Sequence, residues 1–152
     1  MPNDTPSQAD IEAFVNRVIE WSKILLECAD AAVARAHEQR LAGEISFADF
    51  NSVLQNKITV TQKCFEMTNS ASDVLLKIAE SELVPLAAAT GQLQAASDKL
   101  DKNAHAVAII SGLAVAAVAI AVVIVTPTPA SISAAGSAIG AVTKQILSDG
   151  SS

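Results

Sequence analysis

Residues 103–143 read NAHAVAIISGLAVAAVAIAVVIVTPTPASISAAGSAIGAVT, 41 residues with no Asp, Glu, Lys or Arg and with His105 as the only titratable side chain. No other feature limits the fold as strongly. Aliphatic side chains in such number must be solvated by lipid, by the rest of the chain or by other copies of it. Ala104–Val125 spans 22 residues, enough for a helix to cross a hydrocarbon core of ~30 Å, which needs ~20. Its eleven Val, Ile and Leu residues favour insertion by roughly 4 kcal/mol, at about 0.4 kcal/mol each. The residues predicted to enter lipid are Val107, Ile109, Ile110, Leu113, Val115, Val118, Ile120, Val122, Val123, Ile124 and Val125.

The TPTP sequence at 126–129 follows at once. Each Pro removes a backbone donor and pushes its predecessor out of the helical region, so the helix should stop near Val125 and reverse. Residues 130–147 then read as a second, weaker helix with Ile132, Ile139, Val142 and Ile146 on one side. Ser133, Ser137, Gly140 and Lys144 fall on another side, a mildly polar stripe suited to facing a lumen. Ala108, Gly112 and Ala116 on the first helix, and Gly136 and Gly140 on the second, are small residues four apart, the spacing that lets helix backbones approach closely. The pair predicts a hydrophobic hairpin, 104–125 and 130–147. Three environments remain open for it: constitutively transmembrane, stored in a soluble bundle for release, or simply core. No Trp or Tyr marks a membrane boundary at either end.

Gly, Pro and aromatic residues are scarce and Tyr is absent, which favours an all-α chain. Residues 1–102 hold nine of the ten basic and fifteen of the sixteen acidic side chains, so the net charge of −6 sits there. An acidic surface without basic patches argues against nucleic acid as a partner. The start, MPNDTPSQADIE, has neither the basic region nor the apolar run of a signal peptide. Synthesis in the cytoplasm and association with a membrane are therefore the expectation, with a soluble form before insertion left open. Cys28 and Cys64 match no metal or redox spacing and lie among apolar positions, as buried free thiols would.

In chain order, Ser7 and Asp10 form a capping box. Ile11, Phe14, Val18, Trp21, Leu25, Cys28 and Ala32 then recur at 3-4 spacing, a helix to about Leu41 with Gly43 as its left-handed stop. Ser46 and Asp49 start a second helix, which should run to a kink or end near Ser81–Val84, before Pro85. The two should pair antiparallel about residue 44. From Pro85 a third helix is predicted to run unbroken through Leu86, Leu93, Leu100 and Val107 to residue 125. The expected units are thus an amphipathic stalk (1–102), the apolar hairpin (103–147) and a tail (148–152).

Nothing in the chain forms a phosphate loop, a zinc spacing, a nucleophile elbow or an acid–base pair, so no catalytic, metal or cofactor role is predicted. His105, at the entrance to the apolar run beside Asp98, Lys99, Asp101 and Lys102, is the one candidate pH sensor. Over residues 86–147 the pattern of amphipathic helix leading into an Ala/Val/Ile hairpin resembles α-helical pore-forming proteins, colicin-type pore domains above all. That resemblance implies a hairpin buried in a bundle before insertion. Residues 8–84 are also similar to ESX-type secreted helical hairpins, but the turn reads LAGEIS and lacks that family's WxG. The expected function is a self-assembling, pore-forming or anchoring membrane protein with lipid and its own copies as partners. The alternative is a soluble helical scaffold that hides the hairpin in a bundle or against a helical protein partner.

Overall fold

Both predicted caps form, in a computed structural model that describes residues 7–78, 80–100 and 105–150. The Asp10 N–H donates to Ser7 Oγ (3.1 Å) and the Ser7 N–H donates to the Asp10 carboxylate (3.2 Å), opening helix α1, Gln8–Leu41. Gly43, at φ +76°, takes the left-handed turn that follows, where a β-carbon would be strained. The Asp49 N–H donates to Ser46 Oγ (3.0 Å) and starts α2, Phe47–Ser70. Residues 1–6, Ala79 of the expected second helix, Ala104 at the head of the apolar run and residues 151–152 of the tail lie outside the described residues.

Three contacts fix the register of α1 against α2. Ser22 Oγ donates to the Cys64 carbonyl (3.4 Å), Asp30 pairs with Lys57, and the Arg40 guanidinium lies 5.0 Å from the Phe47 ring centre. All three belong to one antiparallel register about the turn at 43–44. Cys64 therefore meets Ser22, six residues from Cys28 along α1, and both thiols are free and buried.

The middle of the chain departs from expectation. Helix α2 ends at Ser70, about ten residues short, and gives way to 3₁₀ turns at Ala71–Leu76 and Glu80–Leu83. The sequence there, TNSASD, is rich in side chains that compete with the backbone for its own hydrogen bonds. Helix α3 covers Val84–Ser97 with Pro85 in its first turn, as predicted, but it stops there. A turn follows at Asp98 and Lys99, and a separate helix α4 covers Ala106–Val125. An unbroken helix over 86–125 would hold α4 away from the other helices. Folding back buries Ile109, Ile110, Leu113, Ile120 and Ile124 almost completely. At about 1.5–3 kcal/mol per side chain, this outweighs the few helical hydrogen bonds lost, each worth about 1 kcal/mol.

Helix α5, Pro129–Gly150, is longer than the expected 130–147. It opens on a reciprocal cap: the Ser131 N–H donates to Thr128 Oγ1 (3.0 Å) and the Thr128 N–H to Ser131 Oγ (2.9 Å), with Pro129 between them in the first helical position. A Pro there costs no hydrogen bond.

Contacts at the helix ends give the directions. Phe14 and Trp21 of α1 share a cleft with Val84 and Ala87 of α3, so the early parts of these helices lie together. Gln39 and Ile45, around the first turn, share another cleft with the start of α4. At the opposite end of α4, Lys77 Nζ donates to the Val125 carbonyl (3.1 Å). Helices α1, α3 and α5 thus run one way, and α2 and α4 the other. Helix α4 packs on α2, α5 and α1, while α3 packs on α5 and α1. One apolar cluster joins all five helices, from Phe14 to Ile146.

The glycines test this packing. A β-carbon on Gly112 would come within 2.7 Å of Val142 Cγ2, whereas Gly136 and Gly140 have nothing within 4 Å. Val142 is β-branched and has few rotamers in which to yield. Gly112→Ala should therefore lose about 1 kcal/mol net, an overpacking cost of 1–3 kcal/mol set against a helix-propensity gain of about 1. Gly136→Ala and Gly140→Ala should each gain about 0.5–1 kcal/mol. Urea denaturation of the three variants measures all of these, and in a Val142→Ala background, which itself loses buried packing, Gly112→Ala should no longer destabilise.

Candidate functional site

Helix α4 carries twenty residues without a charge. Its inner side is formed by Ala106, Ile109, Ile110, Leu113, Ala114, Ala116, Ala117, Ile120, Ala121, Val123 and Ile124, all buried. Its outer side is formed by Ala108, Ser111, Val115, Val118, Val122 and Val125, all exposed. Val115 and Val125 are 59 % and 58 % exposed, and Val118 and Val122 are 39 % and 48 % exposed. A helix that served only as core would place Lys, Glu or Gln at those positions.

The residues predicted to enter lipid thus divide between two environments. Ile109, Ile110, Leu113, Ile120, Val123 and Ile124 pack inside, Val107 is half-buried, and Val115, Val118, Val122 and Val125 face out. The small-residue row on α4 divides as well. Gly112 receives Val142 of α5 and Ala116 is buried, but Ala108 is exposed. On α5, Ser133, Ser137 and Lys144 are exposed and Gly140 is half-buried, so the mildly polar stripe lies on one outer face. Gly136 is also half-buried and makes no close helix contact.

His105 precedes α4 and is exposed. It lines an open cleft of about 880 Å³ with Gln39, Glu44, Ile45, Ala106–Ala108, Ser111 and Gln145. The cleft joins the α1–α2 turn to the start of α4 and the end of α5, a junction that spacing along the chain does not reveal. A smaller cleft of about 410 Å³ lies at the other end, where Phe14 and Trp21 meet edge to face (ring centres 6.0 Å apart) beside Arg17 and Leu83. No known protein family, curated protein or solved structure matches the chain.

Among the described residues no group of three or more His, Cys, Asp or Glu side chains is placed to hold a metal ion. The two thiols are poor nucleophiles. Burial pushes Cys28 up from its ordinary value and pushes Cys64 up to about 11, so little thiolate exists near neutrality. Each therefore keeps its proton in the folded protein at pH values where an unfolded thiol has lost it. Stability from this source is complete below about pH 9 and declines as pH rises toward 11. Both cysteines should resist Ellman's reagent in buffer at pH 8 and become reactive together, at the urea concentration that unfolds the bundle. Equilibrium unfolding at pH 8 and pH 10.5 should show the lower stability at the higher pH.

Proposed function

We propose that this protein is a self-assembling, membrane-associated helical bundle in which α4 and α5 form the inserting element, stored in the bundle until a membrane is met. The observation that carries the reading is the valine-lined outer side of α4: this helix is uncharged around its whole circumference, as lipid demands and water does not. Among the described residues it is the one helix long and apolar enough to span a bilayer. In the inserted state the inner and outer sides of α4 would both meet hydrocarbon or neighbouring helices. Ser133, Ser137, Gly140 and Lys144 of α5 would turn toward a shared aqueous path, the arrangement of a small pore. Gln39, Glu44 and His105 line one open cleft at the start of α4.

A soluble scaffold is the second reading, and one observation favours it: 56 % of the apolar window of α4 is already buried within the bundle. A core helix has the same burial. The two readings differ in what the protein does with vesicles.

Flotation through a density gradient with phosphatidylcholine vesicles should carry the protein upward, and the bound fraction should survive alkaline carbonate. Protein that remains at the bottom of the gradient and elutes without detergent as a stable species would establish the scaffold instead. The net charge of −6 sets a further expectation. Vesicles containing phosphatidylglycerol should bind less protein at low salt, and added salt should restore binding by screening the repulsion.

A further inference from the structure

Building on the membrane reading above, we infer that the α4–α5 hairpin enters a bilayer by its turn, residues 126–131, and that Lys77 holds that turn in the stored bundle.

The turn pairs its own backbone. The Thr126 N–H donates to the Val122 carbonyl (2.7 Å), and the Ile132 N–H donates to the Thr128 carbonyl (3.0 Å). The Thr128 and Ser131 N–H groups each find the other's hydroxyl oxygen. The Ser131 hydroxyl in turn is shared between the Thr126 and Thr128 carbonyls, 3.0 Å from each. Pro127 and Pro129 have no N–H to pair. A turn in water has no need of such completeness, because water satisfies whatever the chain leaves open. A turn that crosses hydrocarbon does need it. Val125, Thr126, Thr128, Pro129 and Ala130 are exposed, so this turn already lies on the outside of the bundle.

Charge lies at the other end of the hairpin. Asp98 and Lys99 precede α4 and Lys144 lies late in α5, with no Asp, Glu, Lys or Arg in 103–143 between them. Entry by the open end would carry those charges across lipid, whereas entry by the turn carries none. The twenty residues of α4 make ~30 Å of helix, the thickness of the hydrocarbon core. On α5 the uncharged residues 129–143 make ~22 Å, which leaves Lys144 ~8 Å below the near surface. From that depth a lysine side chain reaches back to the headgroups. One contact opposes this entry. Lys77, just after the 3₁₀ turn Ala71–Leu76, donates from Nζ to the Val125 carbonyl (3.1 Å). That carbonyl is the last of α4, beyond the reach of its own helix's N–H groups, and sits at the negative end of the helix dipole. Among the described residues, Lys77 is the side chain from outside the hairpin that bonds to this end of it. The bond has to break before the turn can leave.

Ala130 and Ala108 are both exposed and lie at opposite ends of the hairpin. Ala130→Cys and Ala108→Cys, each labelled with the fluorophore NBD and mixed with phosphatidylcholine vesicles, test the direction. Cys28 and Cys64, being buried, take no label in the folded protein. Dithionite added outside the vesicles should reduce the dye at residue 108 and spare the dye at residue 130, which has reached the far surface. Protection at residue 130 should develop about fivefold faster when Lys77→Met is added, the effect of one lost hydrogen bond from a charged donor. Lys77→Arg keeps the donor and should keep the original rate. Lys23→Met removes the same charge from an exposed position on α1 and should also leave the rate unchanged. If the labelled protein floats and survives carbonate but both dyes are reduced alike, entry by the turn is overturned and the membrane reading stands. A Lys77→Met rate equal to the original overturns the restraint. Wild-type protein that does not float at all overturns the membrane reading, and this inference with it.

Discussion

A twenty-residue helix without a charge cannot stand in water, and the rest of this molecule is arranged around that constraint. Helices α1, α2 and α5 each give α4 part of their apolar side, and together they cover eleven of its residues. The covering is one-sided. It shields the isoleucines, Leu113 and most of the alanines but leaves four valines outside. The helix is therefore solvated by its own chain to the extent that four neighbours around a centre would allow, less the neighbour on one side. The empty side is a property of the architecture: α3 packs on α1 and α5 and not along the outer face of α4.

Local signals in the sequence carried much of this structure, and the long-range decisions did not. Ser7, Gly43 and Ser46 mark the ends of α1 and the start of α2 because caps and left-handed turns are settled by neighbours within one turn. The TPTP stop was equally legible. The same residues also hold a Thr-Pro-x-Ser start for α5, in which Thr128 and Ser131 cap each other. The seven-residue recurrence of Leu86, Leu93, Leu100 and Val107 reads as one continuous helix and hides the break after Ser97. In the structure Leu86 and Leu93 are buried while Leu100 and Val107 are half-buried, so the recurrence crosses a turn. The decision to break is made by residues 109–124 finding their partners, and no local window contains those partners. At the site, the apolar run was legible as a whole. Its division into an inner and an outer side was not, because a helix apolar all round carries almost no periodic signal.

The same division bears on the proposed passage of α4 from bundle to bilayer. The inner residues of α4 are withdrawn from water in either environment, so they contribute little to the difference between the two. What differs is the outer stripe, where four valines at about 0.3–0.6 kcal/mol each would favour lipid by about 2 kcal/mol. Against this stands the core that α1, α2 and α3 would lose if α4 and α5 left them. Phe14, Leu25, Met67, Leu86 and Leu93 are all buried, and exposing even two of them costs more than the valines return. Insertion on these terms requires the remaining helices to close on each other or to pair with those of another copy.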